Sequence, residues 1–378
     1  MGRESEKEGP EVWGGQTSRA AFVLACMSAI RAMAAGAGDP SWHLRELLVI
    51  FVPILLIGFL SVALPRWTKR TIAPRGSLEV LLACHAAAFI FGFFAPEASL
   101  LLHAIGACSA VAIVMHHSRG SRAASTTYIT ALIGIHAVAG FVLACVPGWN
   151  PAFTRICLSA VVLLCLEVGG RIAAALMGAA FQREGLEPPK STVAGLLLSH
   201  RLSAIAAVTL WSVGLPSSIP ACIAGLLGII RLILLRPWKV HPVAGVIAVL
   251  AGVACLNAGF LGLAVSLVTG YPLPDAAVIH VWSVGGLGMT AVAVMTSVTR
   301  KRAKIPFRPA LLASLAYAWI AAAVVLRLFA ITLDGSSQEI LLAARLGWIC
   351  AFSCCAIFVE VGSRRGQWRN ARERFQTP

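Results

Sequence analysis

The chain has 378 residues, of which 58% are hydrophobic and only 12% charged, with a formal net charge of +15. Soluble domains carry roughly 25% charged residues, so this composition excludes a water-soluble globular fold. The basic surplus would suggest nucleic acid in a soluble chain. In one this apolar it reads as topology, with Lys and Arg holding loops on the cytoplasmic face, and no nucleic-acid partner is expected.

Residues 1–19 are polar and of mixed charge, with no cleavable apolar core behind them, and are expected as a cytoplasmic tail rather than a signal peptide. Apolar runs long enough to cross a bilayer then recur. They predict about twelve spans, at 20–37, 43–65, 77–95, 99–117, 125–146, 152–181, 193–214, 219–235, 241–269, 276–298, 309–331 and 338–361. The fold class is therefore an all-α polytopic membrane protein. Residues 20–361 form one transmembrane domain, and 362–378 a basic cytoplasmic tail.

The connections sort by charge. RWTKRTIAPRG (66–76), SRGSRA (118–123), QREGLEPPK (182–190), RPWK (236–239) and TRKRAKIPFR (299–308) are basic. The alternate connections, around 39–41 and at 96–98, 147–150, 215–220, 270–275 and 333–339, contain neither Lys nor Arg. Both termini are then cytoplasmic, and the bilayer, most simply a bacterial inner membrane, is the expected surrounding partner. No internal repeat or soluble domain interrupts the spans, so any active centre lies between helices.

Ionisable groups inside spans are costly and mark sites or internal pairs. In the second span, SWHLRELL places Glu46 three residues after His43, on a shared face. Glu46 there is a metal ligand, an orienting partner of the imidazole, or the counter-charge of an arginine. His103 lies in an outer third, and His85 and His136 lie deeper. His116, His117, His200 and His241 fall at cytoplasmic helix ends. Glu167 and Arg171, spaced i, i+4 in the sixth span, neutralise one another within their helix.

The tenth span opens HVWSVGGLGMTAVAVMT, with His280 near the outer face at the depth of His43. Two histidines at matched depth on different helices suit a flat cofactor, because neutral imidazole is a good axial ligand of haem iron. Gly285, Gly286 and Gly288 either let a macrocycle approach the backbone or let helices pack closely. Arg31, Arg45, Arg155, Arg327 and Arg345 gather in the outer third, where they hold propionates or snorkel outward. Eleven cysteines all fall in apolar stretches without CxxC or CxxCH and read as small buried hydrophobes. Cys350 and Cys354, at i, i+4, are an alternative soft copper pair.

Three segments together resemble the NnrS family of bacterial membrane proteins. WHLRELLVIFVPILLIGFLSVALPRWT (42–68) is similar to the family's Trp-His-x-His-Glu helix and Pro-x-Trp-Thr turn, EVGGRI (167–172) to its Gly-Gly-Arg segment, and HVWSVGGLGMTAVAVMT (280–296) to its His-x-x-x-Val-Gly helix. The resemblance implies a twelve-helix inner-membrane protein carrying haem and perhaps copper, associated with nitric oxide and nitrosative stress. It makes His43 and His280 the leading metal ligands, with Glu46 and Arg171 as motif positions. Arg45 stands where the family has its second motif histidine, and TRKRAK follows where Gly-His-Thr-Gly is usual, which weakens the expectation of copper.

At the level of fold, subunit I of haem-copper oxidases offers an analogy: twelve helices, cytoplasmic termini, and a haem ligated from helices 2 and 10 near the outer side. The expectation is a b-type haem between His43 and His280, with Gly285, Gly288, Arg45 and Glu46 around it and a membrane electron donor as redox partner. The alternatives are a metal-free carrier or channel for a small anion, and an assembly partner of a respiratory membrane complex.

Overall fold

The computed structural model describes residues 13–35, 40–68, 75–118, 124–146, 150–189, 194–303, 305, 310–332 and 338–376. The expected tail at 1–12 and much of the basic connections at 66–76, 118–123 and 299–308 lie outside these. The described residues form helices joined by short turns, without a strand. Eleven helices are long and apolar enough to cross a membrane, and a shorter apolar helix covers Gly76–Phe91. The chain is thus an all-α polytopic membrane protein.

The helices divide into two compact units. The first contains residues 1–150 with two later pieces, 297–306 and 355–378. Its helices are α1 (Trp13–Ala35), α2 (Pro40–Arg45), α3 (Val52–Thr68), α4 (Arg75–Phe91), α5 (Pro96–Ser118) and α6 (Ala124–Cys145). Proline opens α2 and α5, where a missing N–H costs nothing because the first turn has no partner for it. A π-segment, Glu46–Phe51, joins α2 to α3. Its cause is in the sequence: Pro53 has no N–H to offer the carbonyl four residues back, so the ladder must be rerouted there. The span Trp42–Pro65 is almost wholly buried, with α1, α4, α5 and α6 packed against it. Gly58 admits the α1 side chain Phe22, whose ring lies 2.6 Å from where a Cβ would stand.

The second unit contains residues 151–296 and 307–354. It holds α7 (Pro151–Arg183), α8 (Ala194–Ser212), α9 (Ser218–Leu234), α10 (Ala244–Ala264), α11 (Ser266–Thr269) and α12 (Asp275–His280). A second π-segment, Val281–Gly288, leads into α13 (Met289–Arg302), followed by α14 (Leu311–Thr332) and α15 (Gln338–Gln376). The division cuts α13 after Thr296 and α15 after Cys354. In this unit the buried span is Asp275–Arg302, with α7, α10 and α14 against its π-segment. Trp282 anchors it: the indole N–H donates to the Leu256 carbonyl at 2.9 Å, and the ring meets Trp211 and Phe260 edge-on. Gly259 of α10 makes room for that indole, which lies 2.3 Å from where a Cβ would be.

Some helix ends differ from the sequence expectation. The third span was expected to reach 95, but α4 ends at Phe91 and Gly92–Ala95 forms a hydrogen-bonded turn before Pro96 opens α5. The first helix starts at Trp13, inside the expected tail, and α15 continues through most of 362–378 to Gln376.

Candidate functional site

In the first unit, polar groups gather where α1, the π-segment, α4 and α5 meet. Glu46 is fully buried at the head of the π-segment. Its Oε1 accepts from Arg31 Nε at 2.8 Å and from Ser28 Oγ at 3.2 Å. Of the three roles open to Glu46, the arginine counter-charge is the one this geometry displays. Arg31 also donates to the Phe89 carbonyl at 2.8 Å and lies over the Phe89 ring, 4.0 Å from its centroid. A guanidinium so enclosed needs the carboxylate, because an unpaired buried charge is strongly destabilising.

Next to this pair stand two buried histidines that the sequence did not bring together. His85 and His103 face each other across α4 and α5, with their Nδ1 atoms 2.6 Å apart, so one donates and the other accepts. Neither Nε2 has a hydrogen-bond partner. The Nε2 of His85 abuts Gly106, 2.6 Å from where a Cβ would be. With both Nδ1 atoms spent on each other and one Nε2 against a helix backbone, this pair does not present a ligand set. A signal for the pair did exist: each residue lies nine positions from residue 94, at the tip of a tight helical hairpin, so both must fall at one depth.

His43 lies in α2, half-buried, with Nδ1 3.4 Å from the Ala32 carbonyl. His280, the last residue of α12, has Nδ1 2.6 Å from the Ala276 carbonyl. A carbonyl can only accept, so in both rings Nδ1 carries a proton, and in the neutral ring the lone pair is then on Nε2. That is the tautomer in which imidazole ligates a metal. His117 makes the same bond, to the Ile113 carbonyl at 2.9 Å, but at the end of an uninterrupted helix. His43 and His280 instead stand beside π-segments, which cluster at functional sites.

The glycines after His280 face neighbouring helices of the same unit. A Cβ on Gly285 would lie 2.8 Å from Cys255 Sγ, one on Gly286 2.4 Å from Leu256, and one on Gly288 2.9 Å from the Trp348 ring. They allow close packing around the π-segment. They also fix its register, because Gly285 faces Val324 and Gly288 faces Ile320 and Trp348. Arg327 is one turn beyond Val324 on α14, and Arg345 one turn before Trp348 on α15. Both steps run toward the His280 end of the span. Arg327 and Arg345 lie within electrostatic reach of each other, and Arg327 Nε is buried without a hydrogen-bond partner.

Three further outer arginines make ion pairs with carboxylates. Arg45 pairs with Glu97 and Arg155 with Asp275, each at 2.5 Å, and Arg31 pairs with Glu46. Among the described residues, no three His, Cys, Asp or Glu side chains converge into a metal cluster.

Helices of membrane length, with a histidine beside the π-segment of each unit's most buried span, define a multi-pass membrane protein. The profile of the NnrS protein family matches residues 15–360, nearly the whole chain. The chain belongs to the NnrS family, and membership supports a membrane protein connected with nitric oxide. Comparison with curated proteins gave no match.

Proposed function

We propose that this protein binds b-type haem in the bacterial inner membrane and serves nitric oxide metabolism or tolerance of nitrosative stress, with His280 as the ligand in the second unit and His43 as the candidate ligand in the first. The observation that carries the reading is that Arg327 and Arg345 lie toward the His280 end of the second unit. An imidazole with its lone pair on Nε2 stands at the same end of the unit as two guanidinium groups. This arrangement complements a macrocycle that offers one metal and two carboxylates. His43 repeats the imidazole tautomer in the first unit.

Each residue has a distinct task. The Ala276 carbonyl accepts from Nδ1 of the His280 ring and orients it, which in the neutral ring leaves the lone pair on Nε2, and the Ala32 carbonyl does the same for His43. Arg327 and Arg345 supply positive charge for propionates. When bound, haem would supply a one-electron couple or a place for nitric oxide. The test is the reduced-minus-oxidised absorption spectrum of the purified protein, together with His280→Ala, His43→Ala and Arg327→Gln. Sharp b-type bands should be lost in the two histidine variants and kept with a shifted midpoint potential in Arg327→Gln.

A second reading, a carrier for a small anion, draws on the same two arginines. It predicts a colourless protein whose anion flux in liposomes falls in Arg327→Gln.

A further inference from the structure

A second cationic cluster lies in the second unit, on α7, α8 and α9, away from the proposed haem residues in sequence and at the opposite helix ends. Glu167 of α7 binds two arginines at once. Its Oε1 accepts from Arg171, one turn on, and from Arg201 NH2 of α8 at 2.5 Å, while Oε2 accepts from Arg201 Nε at 2.8 Å. A third arginine approaches from α9. Arg231 NH1 donates to His200 Nδ1 at 2.6 Å, and Arg231 NH2 lies 3.3 Å from where a Cβ of Gly170 would be. His200 Nε2 in turn donates to Asn257 Oδ1 at 3.2 Å. With its proton on Nε2 the ring is neutral, so it holds Arg231 without cancelling its charge. Gly228 lets Asn257 come this close, since a Cβ there would overlap the amide. Counted over the residues named, one carboxylate faces three guanidinium groups, and the buried Nε of Arg231 has no hydrogen-bond partner.

Two positive charges in excess at a half-buried site call for an anion, because the self-energy of grouped guanidinium groups falls only when a counter-charge is close. The site's position indicates which anion. Arg201 lies seven residues after the start of α8 and Arg231 three before the end of α9, at the helix ends joined by the basic connections 182–190 and 236–239. The 33-residue α7 spans about 50 Å at 1.5 Å per residue, more than the ~30 Å hydrocarbon core, so its end extends past the bilayer and Arg171 comes toward headgroup depth. The Arg171 and Arg201 side chains are 39% and 27% exposed. Leu198 and Leu202 on α8, and Ile230, Ile233 and Leu234 on α9, are exposed apolar side chains near the arginines along the same helices. Acyl chains have an apolar surface directly beside the charge.

We infer that Arg171, Arg201 and Arg231 bind the phosphate of an anionic phospholipid whose chains lie along α8 and α9. Glu167 keeps Arg171 and Arg201 in place, and His200 orients Arg231. Guanidinium groups suit this role through the paired hydrogen bonds they make to phosphate oxygens.

The experiment measures lipid binding to the purified full chain by native mass spectrometry, and its thermal unfolding in nanodiscs of phosphatidylcholine with and without phosphatidylglycerol. Phosphatidylglycerol should raise the unfolding midpoint. Arg231→Gln, which can still donate to His200, should bind it about tenfold more weakly, the value of one charge-assisted hydrogen bond. Lys301→Gln, an exposed change in α13, should leave binding unaltered. If Arg231→Gln does not fold, Arg171→Gln takes its place with the same expected loss. Inorganic phosphate alone should not reproduce the stabilisation. Equal binding by wild type and the arginine variants, an equal loss in Lys301→Gln, or full stabilisation by inorganic phosphate would each overturn the inference.

Discussion

The two buried spans of this protein reach a similar local form by different chemistry. In the first unit, Pro53 withdraws a backbone donor and the resulting π-segment starts with a buried carboxylate, Glu46, tied to Arg31. In the second, three glycines occupy the π-segment and neighbouring side chains fill the space that their missing Cβ atoms leave. Charge thus holds the first span and close packing the second. A histidine stands beside each π-segment with its Nδ1 proton on a backbone carbonyl. The lesson is that a membrane interior tolerates an interrupted helix only if something else satisfies or covers the backbone, and this chain uses both solutions.

The largest expected effect tests the charged solution. Glu46→Gln leaves Arg31 buried beside a neutral amide and should destabilise by about 3–5 kcal/mol, read as a lower unfolding midpoint in detergent. The paired change Arg31→Met with Glu46→Leu should recover most of that loss. A single variant as stable as wild type would mean that charge pairing does not hold the first span.

The packed solution should be less sensitive. Gly286→Ala pushes a methyl to within 2.4 Å of Leu256, and Gly259→Ala pushes one to 2.3 Å from the Trp282 indole. Overpacking of this kind costs about 1–3 kcal/mol by the same unfolding assay. Retention of wild-type stability in both would show that the helices have slack at the π-segment.

His85→Ala sharpens the contrast between structural and ligating histidines. It leaves His103 without its Nδ1 partner and should cost about 1–3 kcal/mol while leaving any haem spectrum intact. His280→Ala should do the reverse, because that ring is only half-buried and its bond to Ala276 is made close to solvent. The smallest effect is expected of Arg155→Gln. Its pair with Asp275 is partly exposed, so solvent screening holds the loss below about 1 kcal/mol.

Much of this plan was legible in the sequence because spans are written in composition. Both central spans, the i, i+4 pairing of Glu167 with Arg171, and the family resemblance of residues 42–68 and 280–296 could be read directly. The partners across helices could not. Nothing local connects Glu46 to Arg31, 15 residues earlier on another helix, or Glu167 to Arg201, 34 residues later. The π-segments were also hidden, because periodicity reports which face is apolar and not which carbonyl a given N–H meets. The outer arginines looked like one group of five. Arg31, Arg45 and Arg155 pair with separate carboxylates, and the approach of Arg327 to Arg345 shows only once the helix register is known.

The central claim is that the imidazoles beside the two π-segments ligate haem, and the reduced-minus-oxidised spectrum of the purified protein tests it most directly. The account predicts sharp b-type bands in wild type and in His85→Ala, and their loss in His280→Ala and His43→Ala with the helical content retained. A colourless wild-type protein, or bands that persist unchanged in both His280→Ala and His43→Ala, would contradict it.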